Sequence, residues 1–252
     1  MTVWFVGAGP GDPELITLKG ARLLREAELV LYAGSLVHEN ILLHASHAAR
    51  LVDSAGLALD ELVGMMAEAV AKGQQVVRLH TGDPALFGAI QEQMDALKQQ
   101  GIKCVMVPGV SSFAAAAAAV GRELTMPEIS QTVIITRLGG RTPVPEKENL
   151  RSLAAHQTAM CIFLSVGMME QVAAELLSAY PAETPVAVVE KASWPEERVI
   201  TATLGEIAQK VNAAAVTKTA MILVGDFLSA EKSRKSRLYA ADFSHGFREG
   251  KK

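Results

Sequence analysis

A glycine-rich loop at residues 7–13 closes the first apolar run of the chain, and its residue types suggest a binding site. Its sequence, Gly-Ala-Gly-Pro-Gly-Asp-Pro, imitates the dinucleotide fingerprint G-x-G-x-x-G, whose amides hold a pyrophosphate at a helix N-terminus. Asp12 occupies the position of the third glycine, and Pro10 and Pro13 each lack an N–H group. Because a carboxylate repels phosphate, we interpret the loop as a stiff turn that lines a site for a different ligand.

Two further loops follow strand-like runs in the first half of the chain. The segment G-D-P at 82–84 precedes a helical pattern, where Asp83 either caps the helix or binds an amine or hydroxyl of a ligand. The segment P-G-V-S-S at 108–112 precedes an alanine run at 113–120. That run predicts a helix which either packs tightly in the core or offers N-terminal amides and serine hydroxyls to a carboxylate.

Basic loops follow strand-like runs in the second half. Arg137 and Arg141 lie on a loop at 136–143 that contains two glycines. Paired guanidiniums suit a ligand with several carboxylates or phosphates because each offers a bidentate fork, but two solvated arginines explain the pattern equally well. The loop at 190–195 adds Lys191 and Trp194. A tryptophan in such a loop is more often a packing residue than a stacking platform for a ligand.

No set of residues predicts a protein nucleophile or a metal centre. The sequence contains no G-x-S-x-G, no P-loop lysine and no C-x-x-C, and its six histidines are scattered. His44 and His47 can share a helix face, but no third ligand is near in sequence, which favours a solvated pair. Chemistry that needs neither a protein nucleophile nor a metal is therefore favoured.

Composition and charge restrict the class of protein and its partners. Half of the 252 residues are hydrophobic but only 5% are aromatic, as expected for helices that cover a buried sheet. A net charge of −3 provides no basic field for nucleic acid or an anionic membrane. Cys104 and Cys161 lie in apolar runs without metal-ligand spacing, which predicts buried thiols in a reducing compartment. With no signal peptide or membrane span predicted, we expect a cytoplasmic protein.

Apolar runs alternate between strand and helix periodicity, which predicts an α/β fold. The predicted strands are at 2–6, 29–32, 75–79, 103–107, 132–136, 158–164, 185–189, 198–202 and 219–224. The predicted helices are at 17–27, 59–71, 86–100, 113–120, 147–156, 168–179 and 204–211. We predict an N-terminal α/β lobe at 1–121, a connector at 122–130, a C-terminal α/β lobe at 131–228 and an extension at 229–252. The expected site is a cleft between the lobes.

With motifs at 7–13, 82–84 and 108–112 in this order, the chain resembles the tetrapyrrole methylase family. The similarity covers almost the whole chain. The loops at 136–143 and 191–195, the strand end at 163–165 and the ending S-R-L-Y at 236–239, with Phe243 and His245 after it, are similar to members that methylate C-11 of precorrin-4. The resemblance implies a homodimer of two-lobed α/β subunits with the active site in the interlobe cleft. It also implies methyl transfer from S-adenosylmethionine to precorrin-4, with or without cobalt, in cobalamin biosynthesis, with S-adenosylhomocysteine as product.

The resemblance further implies which positions form the site. The cofactor positions are Pro10, Gly82, Asp83, Ser111, Ser112, Leu164, Ala192, Ala220 and Met221. The positions on the tetrapyrrole side are Asp12, Arg137, Arg141 and Lys191. His80 and Asp12 are the candidates for moving the proton that the reaction releases. The sulfonium carries its own activation, so the protein has to align two reactants rather than supply a nucleophile.

Three other functions were weighed from sequence alone. The first is a methyltransferase of the same family that acts on another ring carbon of a related precorrin or of uroporphyrinogen. The second is an ordinary Rossmann-like methyltransferase. That fold needs an acidic residue at the end of its second strand, and the Tyr32-Ala33-Gly34 found there counts against it. The third is a non-enzymatic module that delivers a tetrapyrrole, which would bind it without S-adenosylmethionine.

Overall fold

The computed structural model describes residues 2–34, 36–229 and 239–250, so residues 236–238 of the predicted ending lie outside the described residues. These residues form two compact units. The first contains the described residues of Met1–Ala115 together with Lys191–Glu197, and the second contains those of Ala116–Glu190 and Arg198–Lys252. The loop at 191–197, which the sequence analysis includes in the second lobe, is therefore part of the first unit, where its side chains form hydrogen bonds.

The first unit contains a fully parallel sheet with strand order β3-β2-β4-β1-β5. Its strands are β1 Thr2–Gly7, β2 Leu29–Tyr32, β3 Arg50–Asp53, β4 Val76–His80 and β5 Lys103–Val107. Its helices are α1 Leu18–Glu26, α2 Leu59–Ala71, α3 Gln91–Gln99 and the start of α4 Ser112–Ala119. Apolar side chains on each face of the sheet pack into a separate cluster, because a parallel sheet is covered by helices on both sides. Because the five strands are parallel, all of their carboxyl ends lie at the same edge of the sheet.

The second unit contains a mixed sheet with strand order β6-β7-β10-β8-β9. Its strands are β6 Val133–Arg137, β7 Ala159–Phe163, β8 Pro185–Glu190, β9 Arg198–Thr203 and β10 Ala220–Val224, and its helices are α5 Leu150–Ala154, α6 Met169–Leu176 and α7 Ile207–Ala213. Only β6 and β7 are parallel neighbours. The other neighbouring pairs are antiparallel. Side chains of α5, α6 and α7 pack with the central strands in one core.

The predicted α/β class is confirmed, one local prediction is wrong, and one strand was not predicted. The helix predicted at 86–100 begins at Gln91, because Phe87 and Ala89 adopt φ of 55° and 46°, which no α-helix contains. The strand β3 was not predicted because it is an edge strand whose residues are exposed or half-buried, so its sequence carries no apolar run. No helix in the described part of the chain is long and apolar enough to cross a membrane.

The two cysteines are free thiols in different environments. Cys161 is fully buried, and burial raises the pKa of its thiol to about 12. Cys104 is half-buried, and partial burial raises the pKa of its thiol as well. Neither thiol is therefore an activated nucleophile at neutral pH.

Candidate functional site

Three glycine-containing loops meet at the carboxyl edge of the first sheet. Backbone hydrogen bonds join two of them, from Gly9 N to Gly82 O at 3.3 Å and from Gly82 N to Gly9 O at 2.8 Å. A Cβ on Gly109 would lie 2.2 Å from Gly82 O and 2.8 Å from the Cα of Gly7. Gly7 and Gly109 need to be glycine because the backbones of the three loops approach too closely there for any side chain. The result is an edge lined by bare backbone.

Asp83 fastens this edge through its carboxylate. Its Oδ2 accepts a hydrogen bond from Gly109 N at 3.0 Å, and its Oδ1 accepts one from Ala85 N at 2.7 Å. The first bond connects the loop after β4 to the loop after β5, and the second forms the local turn. Asp83 is therefore the residue that orders two of the three loops, and a cap of α3 is not its role, since that helix begins only at Gln91.

Hydrogen bonds fix the glycine loop at 7–13 at two of its residues, Pro10 and Asp12. Asp12 Oδ1 accepts from Glu14 N at 2.9 Å and so caps the short 3-10 helix Pro13–Leu15. The amide of Asp12 donates to Ser193 Oγ at 3.0 Å. The buried Pro10 presents its carbonyl to the indole N–H of Trp194, with 2.8 Å between Nε1 and O. The sequence indicated only the types of these residues, so the contacts made by Ser193 and Trp194 were missed.

The helix α4 begins beside these loops, at Ser112. Ser111 is buried and its carbonyl accepts from the amides of Ala114 and Ala115, while Ser112 is half-buried. The amides at the very start of an α-helix have no acceptor within the helix and carry a partial positive charge. This start of α4 therefore suits a carboxylate, which was one of the two alternatives that the sequence left open for this helix.

His80 is buried at the end of β4 and is a poor candidate for a base. The side chain is 6% exposed and stacks against Phe5, with 5.9 Å between the ring centroids. Burial, and secondly the positive charge of Arg78, lower the pKa of His80 to about 3. Arg78 is itself buried and donates from Nε to Gln93 Oε1 at 3.1 Å. A histidine with so low a pKa is neutral at physiological pH and a weak proton acceptor.

The neutral His80 predicts an acid-dependent loss of stability. Its pKa in the folded protein, about 3, lies below the ordinary value of 6.5, so between these values the unfolded chain binds a proton that the folded chain does not. The free energy of unfolding should therefore fall as the pH falls from 6.5 to 3, by about 1.4 kcal/mol per pH unit from this group. Urea unfolding of wild type and His80→Leu across that range measures the difference. His47→Gln, at an exposed histidine, should keep the wild-type slope, and an equal slope in His80→Leu would refute the assignment.

The candidate residues of the second unit share one edge of its sheet. Arg137 ends β6 and Leu164 directly follows the parallel strand β7, while Ala220 begins the antiparallel strand β10. Leu164 is 64% exposed with φ of 53°. Met221 is only 3% exposed, so its side chain belongs to the core and it offers a ligand little but backbone.

The two arginines of the loop after β6 have different environments. The Arg137 guanidinium donates to the carbonyls of Leu138, Thr142 and Pro143, the last at 2.8 Å, and thereby orders its own loop. Arg141 is exposed and forms no hydrogen bond or ion pair with any residue that the structure describes. Arg141 is therefore the one of this pair whose guanidinium is available to a ligand.

Lys191 and Ala192 belong to the first unit. Lys191 Nζ lies 5.6 Å from the centre of the Trp194 ring and 3.8 Å from Glu196 Oε2. Ala192 is 6% exposed.

Within residues 2–34, 36–229 and 239–250, no three His, Cys, Asp or Glu side chains are grouped to hold a metal ion.

Comparison with known proteins relates this arrangement to one family. A family model described as tetrapyrrole (corrin/porphyrin) methylases matches residues 2–208. A cobalt-precorrin-4 C(11)-methyltransferase of Methanocaldococcus jannaschii is 51% identical over 251 residues, which are 99% of this chain and 97% of the relative. A precorrin-4 C(11)-methyltransferase of Pseudomonas aeruginosa is 48% identical over 250 residues, which are 99% of this chain and 100% of the relative.

Solved structures give the same relationship. The X-ray structure of a cobalt-precorrin-4 methyltransferase, a cobalamin biosynthetic enzyme, matches with a TM-score of 0.88 at 45% identity, over 90% of this chain and 96% of that one. A uroporphyrin-III C-methyltransferase from Thermus thermophilus, complexed with S-adenosylhomocysteine, matches with a TM-score of 0.76 at 32% identity, over 95% of both chains.

Proposed function

Because the chain belongs to the tetrapyrrole (corrin/porphyrin) methylase family, we propose that it transfers the methyl group of S-adenosylmethionine to C-11 of precorrin-4 or cobalt-precorrin-4. The observation that carries the proposal is similarity of 51% and 48% identity, along the full length, to two relatives named for that reaction. The enzyme class and the reaction predicted from the sequence are thereby confirmed. Methylation of another ring carbon has weaker support, since the uroporphyrin-III enzyme is only 32% identical.

The residues present fit S-adenosylmethionine as the methyl donor. A relative was solved with S-adenosylhomocysteine, the product of that donor. The cofactor is an amino acid joined to a nucleoside, and the start of α4 at Ser111 and Ser112 suits its carboxylate. The bare backbone edge that Gly82 and Gly109 form, held by Asp83, admits a ligand close to main-chain amides and carbonyls. Pro10, Leu164, Ala192, Ala220 and Met221 remain proposed cofactor positions.

The chain's own contribution to the reaction is alignment. S-adenosylmethionine supplies an activated methyl group on a sulfonium, and the reduced tetrapyrrole supplies a nucleophilic carbon. Holding two reactants in line contributes roughly 7–11 kcal/mol to lowering a barrier. Arg141 and Lys191 would neutralise the acidic side chains of the tetrapyrrole, with Arg137 shaping the loop that presents Arg141. We assign the proton step to Asp12 rather than to His80, because His80 is buried against Phe5 whereas Asp12 is only half-buried.

The arginines predict two different kinetic defects. Arg141→Ala removes an available guanidinium, so KM for the tetrapyrrole should rise about tenfold, as expected for one hydrogen bond to a charged group, while the affinity for S-adenosylmethionine stays unchanged. Arg137→Ala removes the donor for three loop carbonyls and should lower the unfolding midpoint as well as turnover. Steady-state kinetics and thermal unfolding of both variants test this. A double variant with both turnover and KM for the tetrapyrrole at their wild-type values would remove both residues from the substrate site.

A binding and transfer experiment separates an enzyme from a module that only delivers a tetrapyrrole. Calorimetry should detect S-adenosylhomocysteine binding by the protein alone, and methyl-labelled S-adenosylmethionine should pass its label to precorrin-4. A protein that binds the tetrapyrrole but neither binds the cofactor nor transfers label would contradict the proposal.

We also propose that the enzyme is a cytoplasmic homodimer whose partners do not include nucleic acid or membrane. Sedimentation at several protein concentrations tests whether it is a dimer.

A further inference from the structure

The loop Lys191–Glu197 is seated directly on the glycine loop of the first unit. Two hydrogen bonds join them, from Asp12 N to Ser193 Oγ at 3.0 Å and from Trp194 Nε1 to Pro10 O at 2.8 Å. Both bonds bridge residues more than 180 positions apart in the chain. The Trp194 side chain therefore fixes the backbone before Gly11, and the Ser193 side chain fixes the backbone after it.

The indole of Trp194 also occupies the space over Gly11. A Cβ on Gly11 would lie 1.9 Å from Cδ1 and 2.1 Å from Nε1 of the ring, so any side chain at Gly11 would displace the indole. His38 packs edge-on against the ring, with 4.6 Å between the centroids and 83° between the planes. These contacts give the indole a defined position rather than a loose surface contact.

The loop adopts an uncommon backbone conformation to present these two side chains. Lys191 and Ser193 have φ of 48° and 68°, in the left-handed region that residues with a Cβ rarely adopt. The carboxylate of Glu197 accepts from Ser193 N at 2.7 Å, and Lys191 O accepts from Trp194 N at 2.9 Å. Two strained residues within three positions, held by local bonds, are typical of a segment whose conformation serves a function.

We propose that Ser193 and Trp194 are positioning residues for methyl transfer, which hold the Pro10–Asp12 backbone in its reactive arrangement. The inference rests on the proposed function, in which Pro10 faces the cofactor and Asp12 the tetrapyrrole. Because the two clamped groups, Pro10 O and Asp12 N, lie on either side of Gly11, a shift of this segment would misalign both reactants together. Misalignment lowers kcat more than it weakens the binding of either reactant.

Conservative variants separate positioning from packing. Trp194→Phe keeps an aromatic ring but removes the donor to Pro10 O, and Ser193→Ala removes the acceptor for Asp12 N. Each should lower kcat by about tenfold or more, with KM for S-adenosylmethionine within about twofold and the unfolding midpoint nearly unchanged. The matched control is Trp4→Phe, at the other tryptophan of the chain, which packs against the core of the first unit and lies 5.5 Å from Lys19 Nζ. Wild-type kcat in both variants, or an equal loss in Trp4→Phe, would overturn the proposal.

Amide exchange tests the inference apart from turnover, and a double variant tests the contact between Gly11 and Trp194 through kcat. Exchange of the Asp12 amide hydrogen should quicken in Ser193→Ala, because that amide loses its acceptor, and unchanged exchange would overturn the clamp even if the methyltransferase assay succeeds. Gly11→Ala displaces the indole, so its loss of kcat should not add to that of Trp194→Phe in the double variant, and full additivity would contradict the shared contact. A wild-type protein without activity would instead refute the proposed function, leaving amide exchange to test the clamp.

Discussion

Replacing Gly109 with alanine is expected to lower the free energy of unfolding by about 3 kcal/mol and to abolish measurable binding of S-adenosylhomocysteine. The new Cβ would lie 2.2 Å from Gly82 O and 2.8 Å from Gly7 Cα. Both are backbone atoms, which cannot move aside by changing a rotamer, so the loops after β1, β4 and β5 must separate. Urea unfolding and calorimetry on the same preparations measure the two effects.

Gly64 supplies the matched control for a glycine-to-alanine change. It lies exposed in the middle of α2, and an added Cβ there has no heavy atom within 4 Å. Gly64→Ala should therefore raise the free energy of unfolding by about 0.5–1 kcal/mol, because alanine is the better helix former, and should leave ligand binding unchanged. If Gly109→Ala were as stable as Gly64→Ala, the close approach of the three loops would be refuted.

Replacing Asp83 with alanine is expected to weaken binding of S-adenosylmethionine about 100-fold, since it removes the acceptor for the amides of Gly109 and Ala85. The fold should be retained, because the strands on both sides are fixed by the sheet. Asp83→Asn keeps one carbonyl oxygen but directs an NH2 group at the other amide. It should therefore recover only part of the affinity.

Calorimetric titration of the three proteins distinguishes the roles of this carboxylate. An affinity order of wild type, then asparagine, then alanine supports a carboxylate that orders the two loops. Wild-type affinity in Asp83→Ala would show that the loop between β4 and α3 does not form the cofactor site.

The sequence predicted the positions of the loops well and their internal bonding poorly. Glycine loops after strand-like runs could be placed because strand periodicity and glycine position are local features of the chain. That Asp83 binds Gly109 N could not be foreseen, because this contact depends on strand order, which brings β5 next to β1 and β1 next to β4. The same holds for Trp194, whose acceptor at Pro10 lies 184 residues away.

The structure gives His80 and Arg137 surroundings that the sequence did not predict, through burial for His80 and through hydrogen bonds within its own loop for Arg137. Both follow the sequence pattern of a residue at the end of a strand, where ligands bind in α/β sheets. Alternation in a strand directs side chains to opposite faces, and His80 is buried on the face of the sheet that carries Phe5, which stacks against it. Arg137 bonds to carbonyls of its own loop, a use of guanidinium that residue type alone does not reveal.

The position of the transferred methyl group tests the central claim most directly. The protein is incubated with precorrin-4, and separately with its cobalt complex, together with S-adenosylmethionine carrying a ¹³C-labelled methyl group, and the product is analysed by carbon NMR. We predict that the label appears on C-11 of at least one of the two acceptors, with one equivalent of S-adenosylhomocysteine formed. Label on a different ring carbon, or no label on either acceptor, would contradict the proposed reaction.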